Sequence, residues 1–162
     1  MAVSTIVGTK RDGVITLKTS GGAQTLILTL EVGDFSFEQP KADRLVIRDR
    51  GAISGLRKGD DAVGSCSFSV HFTEFTNSTA DTLLDFIYKR GSASGYTGVN
   101  TTGYEQYLLD LVFNCDKTAL GDSAGAQVTL GKVLLFASMA EGDPNSVSVT
   151  GEVYGSYTYS GI

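Results

Sequence analysis

VGSCSFSVHFTE, residues 63–74, alternates almost without interruption. Cys66, Phe68, Val70 and Phe72 leave one side of this stretch, and Ser65, Ser67, Ser69, His71 and Thr73 leave the other. Successive side chains of a strand point to opposite faces, so this is a strand with one buried and one wet face. The wet face carries small neutral polar groups where an ordinary surface strand would place Lys or Glu.

The same period of two recurs on both sides of this strand. Val14 to Thr19 and Gln24 to Val32 read as strands, and Ser20-Gly21-Gly22 between them reads as the turn of a hairpin. At Gly33 the phase slips, so that Phe35 and Phe37 take over the apolar role, as a bulge would arrange. Downstream, Tyr104 to Cys115, Ala126 to Ala137 and Val147 to Ser160 read as three further long strands. In the last, Ser148, Thr150 and Glu152 form another polar face opposite Val147, Val149 and Val153.

Between the strands of residues 63–74 and 104–115 lies the one convincing helix, expected over Ser78 to Arg90. Asn77-Ser78-Thr79 supply cap candidates, and Gly91 follows Lys89-Arg90 at the other end. Ala80, Leu83, Leu84, Ile87 and Tyr88 fall on one stripe, with Asp81, Thr82, Asp85 and Lys89 turned outward. One amphipathic helix therefore covers an open sheet face.

Residues 40–61 break the alternation. Ten of these 22 residues are charged, including Arg48, Asp49, Arg50, Arg57, Lys58, Asp60 and Asp61, while Leu45-Val46-Ile47, Ile53 and Leu56 interleave with them. Structureless connections of this length are uncommon in compact domains unless a partner orders them. The segment is expected to be an extended docking arm, its aliphatic residues serving as anchors.

Composition agrees with a mainly β chain. The 162 residues hold 20 Gly but only 2 Pro, with 7 Tyr and 8 Phe, which suits strands joined by turns. A chain this short is expected to be one domain, residues 1–162. No apolar run reaches membrane-spanning length, and the N-terminus lacks a basic region followed by an apolar one, so neither a membrane anchor nor an export leader is expected. The net charge of −5 disfavours a protein whose main affinity is for phosphate backbones. The charge is also divided: residues 1–59 carry nine Lys/Arg against six Asp/Glu, and residues 60–162 carry four against twelve. Opposed patches of this kind set the register of a head-to-tail assembly.

Catalytic chemistry finds little material. His71 is the only histidine, and it leaves its strand on the face opposite Cys66. His71 and Glu74 also differ in parity, and Asp60-Asp61 lacks the alternating oxygen ligands of a calcium loop. No dinucleotide or phosphate-cradling glycine motif is present. We therefore expect no catalytic residue, no metal and no cofactor. Long two-faced strands with few gatekeeping Lys or Pro are hazardous in a monomer, and pairing with further copies is the natural resolution.

This organisation resembles the tail tube proteins of tailed bacteriophages, relatives of the tube proteins of contractile injection systems. The residues that carry the resemblance are RDRGAISGLRKGDD at 48–61, the Ser-x-Ser-Phe-Ser-Val strand at 65–70, the helical segment 78–90, and Gly-Asp-Pro-Asn with Val-x-Val-x-Gly-x-Val-Tyr-Gly within 142–155. In order and spacing it spans nearly the whole chain. The resemblance implies a two-sheet sandwich or partial barrel with one α-helix, whose inner sheets close a β-barrel in a homohexameric ring. Rings would stack head-to-tail into a hollow tube in the phage tail, assembled in the host cytoplasm.

The partners implied are further copies of the chain and other tail proteins: tape measure, terminator, baseplate and sheath. Double-stranded DNA would pass through the bore without being held. The arm residues Arg48, Asp49, Arg50, Arg57, Lys58, Asp60 and Asp61 would reach the adjacent ring, and Ser65, Ser67, Ser69, His71 and Thr73 are the candidates for the lumen. The alternative roles on the same fold are a tail terminator or adaptor, or a secretion-tube component.

Overall fold

A computed structural model describes residues 13–28, 33–100, 105–118, 121 and 125–161. Its strands are β1 (Gly13–Lys18), β2 (Thr25–Leu28), β3 (Gly33–Glu38), β4 (Arg44–Asp49), β5 (Ala52–Lys58), β6 (Gly64–His71), β7 (Leu109–Cys115), β8 (Ala126–Ala140), β9 (Ser146–Val153) and β10 (Tyr157–Gly161). Eight of them form one sheet in the order β2-β1-β7-β8-β9-β6-β3, with β10 also paired to β8, while β4 and β5 form a separate two-stranded sheet. Every pairing is antiparallel. The hairpin expected around Ser20–Gly22 is β1–β2, and the phase slip near Gly33 is a register shift between Gly33 and Ser36. The expected continuation of β2 through residues 29–32 lies outside the described residues.

One strand gives the sheet its shape. β8 runs for 15 residues: Ala126–Leu130 lies between β7 and β10, whereas Val133–Ala140 pairs with β9. The two halves meet at Gly131-Lys132, where Lys132 takes φ +52° and donates its N–H to the Asp110 carboxylate at 3.1 Å. Gly155 crosses at this corner, and a Cβ there would sit 2.4 Å from the Gly131 carbonyl oxygen, so the crossing needs glycine.

Bent in this way, the sheet brings its distant strands together. Phe35 of β3 stacks on Phe113 of β7 at 4.5 Å, and Phe37 packs beside Tyr157 and Tyr159 of β10 at 6.3 and 6.4 Å. The Tyr157 hydroxyl donates to the Glu38 carbonyl at 3.0 Å. Side chains make this seam, and the described strands do not close a barrel. The expected two sheets are thus two layers of one hydrogen-bonded sheet, because β8 is long enough to belong to both. Between the layers lie Ile15, Leu17, Phe68, Val70, Leu111, Leu130, Val133, Val149 and Val153, with Phe86 and Ile87 from the helix.

That helix, α1 (Leu83–Tyr88), has six residues instead of the dozen expected. Asn77 builds a turn of its own, its side-chain oxygen accepting the Thr79 and Ala80 N–H groups at 2.9 and 3.2 Å. The cap is Thr82, whose hydroxyl oxygen accepts the Asp85 N–H at 3.2 Å. Asp85, expected outside, is buried, because its carboxylate accepts the Asn77 N–H at 2.8 Å. Phe86 and Ile87 form the buried face, while Tyr88, expected within the apolar stripe, is exposed. The single strand expected over Val147 to Ser160 is likewise two, β9 and β10, divided by the corner at Gly155.

Candidate functional site

Ladder register assembles a largely polar surface across four strands. Across β3, β6, β9 and β8, one row reads Glu38, Ser65, Glu152, Leu134 and the next reads Ser36, Ser67, Thr150, Phe136. Further along, Ser69, Ser148 and Ser138 are aligned, as are His71, Ser146 and Ala140. Residues directly opposite in a ladder share a face, so these rows form one wall, and none of its positions is Lys or Arg.

Two hydroxyls join β3 to β6 here, with Ser36 Oγ and Ser67 Oγ 2.8 Å apart. At the edge of the wall the Tyr154 hydroxyl donates to the Glu152 carboxylate at 2.5 Å, which raises the phenol pKa above its usual range. A shallow depression of about 590 Å³ lies over Ser36, Ser67, Phe136 and Thr150.

Of the five lumen candidates, Ser65, Ser67 and Ser69 therefore sit within the wall, and His71 sits at its end, opposite Ser146. His71 is the last residue of β6, and Thr73 lies beyond the strand. Both line a separate cavity of about 290 Å³ with Leu26, Leu28 and Glu74. The sequence shows the polar sides of β3, β6 and β9 separately, with Ser36 and Glu38 opposite Phe35 and Phe37, but not that they join the lumen candidates or that Thr150 aligns with Ser67. Which strands become neighbours is not written in a local alternation.

The expected arm is a regular hairpin. β4 and β5 pair from Arg44↔Lys58 to Asp49↔Ala52, with a register shift after Ile47 that leaves Ser54 to donate its hydroxyl to the Ile47 carbonyl at 3.2 Å. Arg50 and Gly51 make the two-residue turn with φ +47° and +89°, the left-handed pair that matches the twist of a hairpin. Within the expected arm the chain is thus a paired ribbon: its backbone groups satisfy one another, and its charges mask the alternation.

The aliphatic anchors find no core in the protomer. Leu45, Val46, Ile47, Ile53 and Leu56 are 41–66% exposed, distributed over both faces of the ribbon. Arg48, Asp49, Arg50, Arg57, Lys58, Asp60 and Asp61 are all exposed as well. Lys58 pairs with Asp61, and the Arg48 guanidinium reaches the Gly51 carbonyl at 3.4 Å.

Among the described residues no group of three or more His, Cys, Asp or Glu is placed to hold a metal ion. Burial pushes the Cys66 thiol up to about 12, which makes it a poor nucleophile. Asp81 accepts hydrogen bonds from Ser92 at 2.7 Å and Tyr96 at 3.0 Å, tying the loop after α1 to the loop before it. Among the described residues no helix is long and apolar enough to cross a membrane.

No protein-family model matches this sequence, and no curated protein matches it. Solved structures do match its fold. A chain of the sheath–tube complex of PVC, an extracellular contractile injection system in its extended state, aligns with a TM-score of 0.57 at 11% identity, over 99% of this chain and 100% of that one. The tube-terminating cap of the anti-feeding prophage aligns with a TM-score of 0.57 at 12% identity, over 100% and 95% of the two chains. The sheath/tube terminator of PVC aligns with a TM-score of 0.56 at 12% identity, over 98% and 99%. At such identities the likeness is one of fold, and at that level the resemblance read from residues 48–61, 65–70, 78–90 and 142–155 holds.

Proposed function

We propose that the chain is a structural tube protein, whose copies close into rings and whose rings stack head-to-tail into a hollow tail tube. The observation that carries this reading is the polar wall and its two edges. β3 ends the sheet on one side, and beyond Val133 no described strand pairs with the side of β8 that faces away from β9. The four strands from one edge to the other, β3, β6, β9 and β8, alternate in direction. Rotation about the axis of a bore preserves strand direction, so β3 of the next copy would arrive antiparallel to β8 and continue the pattern.

Dimensions support a bore. Six copies of a four-stranded sheet at about 4.8 Å per strand, tilted by about 35–45° as closed sheets are, would make a backbone cylinder about 45–52 Å across. With side chains inside, that width still admits a nucleic-acid double helix. A wall of Ser, Thr and Glu would let DNA slide, whereas Lys or Arg would hold phosphates through counterion release. The exposed aliphatic residues of the β4–β5 ribbon, flanked by Arg48, Arg50, Arg57 and Lys58, would dock on the acidic remainder of a copy in the neighbouring ring. Tape measure, baseplate and sheath proteins would be the other partners, within a virion assembled in the host cytoplasm.

A second reading, a terminator or cap that ends a tube, draws on the matched chains described as a terminator and a terminating cap. Sedimentation velocity over a concentration series separates the two. A tube protein passes from protomers to ever larger species, a terminator stops at one ring, and a chain that stays monomeric at every concentration contradicts both.

A further inference from the structure

The β8 edge offered to the next copy is already occupied. The Tyr88 hydroxyl accepts the Ala137 N–H at 2.9 Å and donates to the Ala137 carbonyl at 3.2 Å. One hydroxyl thus imitates the paired C=O and N–H of a strand residue, because it is both acceptor and donor. Alternation along an antiparallel strand places Leu135 and Met139 on the same edge as Ala137, away from β9. This is the edge that β3 of a second copy would need.

Tyr88 sits at the exposed end of its helix. It is the last residue of α1, followed by Lys89 in the left-handed region at φ +54°, and its side chain is 41% exposed. The buried residues Phe86 and Ile87 anchor the helix, so Tyr88 can turn away without disturbing the core. The Arg90 guanidinium, 5.1 Å from the ring centroid, holds the phenol in place by a cation–π contact at the surface.

We propose that Tyr88 is an assembly latch: its hydroxyl caps the β8 edge at Ala137 in the free protomer and is displaced when β3 of a second copy pairs there. The latch rests on the tube reading and adds its regulation. A capped edge discourages premature pairing between protomers, while the edge of a ring already formed, offered in register, displaces the cap. The ligand that opens the latch is therefore a further copy of this chain.

The test compares the full chain with Tyr88→Phe, which keeps the ring and removes only the hydroxyl. Light scattering gives the critical concentration and lag of assembly, and amide exchange followed by NMR reports on Ala137 and Met139. The latch predicts a critical concentration on the order of tenfold lower and a shorter lag for Tyr88→Phe, since two edge hydrogen bonds no longer have to break. It also predicts faster exchange at Ala137 in the Tyr88→Phe protomer, and protection of both Ala137 and Met139 in assembled particles.

An unchanged or higher critical concentration overturns the latch while leaving the tube reading in place. Assembled rings in which Ala137 and Met139 gain no protection also overturn it. If neither protein forms rings at any concentration, the tube reading falls and the latch with it. Thermal melts of both protomers check that folding is unchanged.

Discussion

Replacing Ile53 and Leu56 together by serine is expected to separate assembly from folding. Both residues lie in β5, with Ile53 opposite Arg48 and Leu56 opposite Val46, and they are 66% and 64% exposed in the protomer. Full burial of a Leu or Ile side chain is worth about 1.5–3 kcal/mol, so roughly two-thirds of that, about 1–2 kcal/mol per residue, remains to be gained against a neighbouring ring. The double variant should forfeit about 2–4 kcal/mol per docked ribbon. At about 1.4 kcal/mol for each factor of ten, the critical concentration should rise on the order of 100-fold.

The protomer should hardly notice the change, because exposed substitutions away from the core usually shift stability by less than about 0.5 kcal/mol. Pelleting across a concentration series reads the first effect, and a thermal melt reads the second. An unchanged critical concentration with an unchanged melt would refute the assignment of the ribbon as a docking element. A large loss of melting temperature would show that the ribbon belongs to the protomer core.

Charge reversal by Arg48→Glu with Arg50→Glu should weaken stacking and leave the protomer melt intact, with the defect largest at low ionic strength, where exposed charges are least screened; turbidity at two salt concentrations measures it. Gly151→Ala should lower protomer stability by about 1–3 kcal/mol, because a Cβ there would meet Cys66 Sγ at 2.7 Å, Leu135 Cδ2 at 2.8 Å and Val133 Cγ1 at 2.9 Å; denaturant unfolding checks it. Burial raises the Cys66 thiol from 9.0 to about 12 and the Tyr107 phenol from 10.0 to about 12. Both groups ionise first in the unfolded chain, so stability should hold to about pH 9 and fall progressively toward pH 12. Cys66→Ala should flatten the start of that decline in pH-dependent melts, and a slope identical to that of the parent would contradict the cause.

Strands with one dry and one wet face were legible because alternation is a local signal. Cys66, Phe68 and Val70 are buried as their spacing demands, and so are Val147, Val149 and Val153. Helix limits were not legible, because Asn77 and Thr82 are both competent caps and only the buried Asp85 carboxylate, reaching back to the Asn77 N–H, decides between them. The corner at Gly155 was equally hidden: Val153 and Tyr157 keep the same phase on either side of it, and the reason for the break is the Gly131 backbone, more than 20 residues away in sequence. In the β4–β5 ribbon the turn lay in Arg50-Gly51, and charges interleaved on both faces concealed the pairing. The wall needed β3, β6, β9 and β8 side by side, an order that no single strand states.

The central claim, a ring whose polar wall surrounds a bore, is tested most directly by averaging end-on views of purified assemblies in the electron microscope. Sixfold rings with an open centre and a backbone cylinder about 45–52 Å across are expected, as strand spacing and tilt together require. Solid particles, or closed rings with the β4–β5 ribbon inside and the Ser67–Thr150 wall outside, would contradict it.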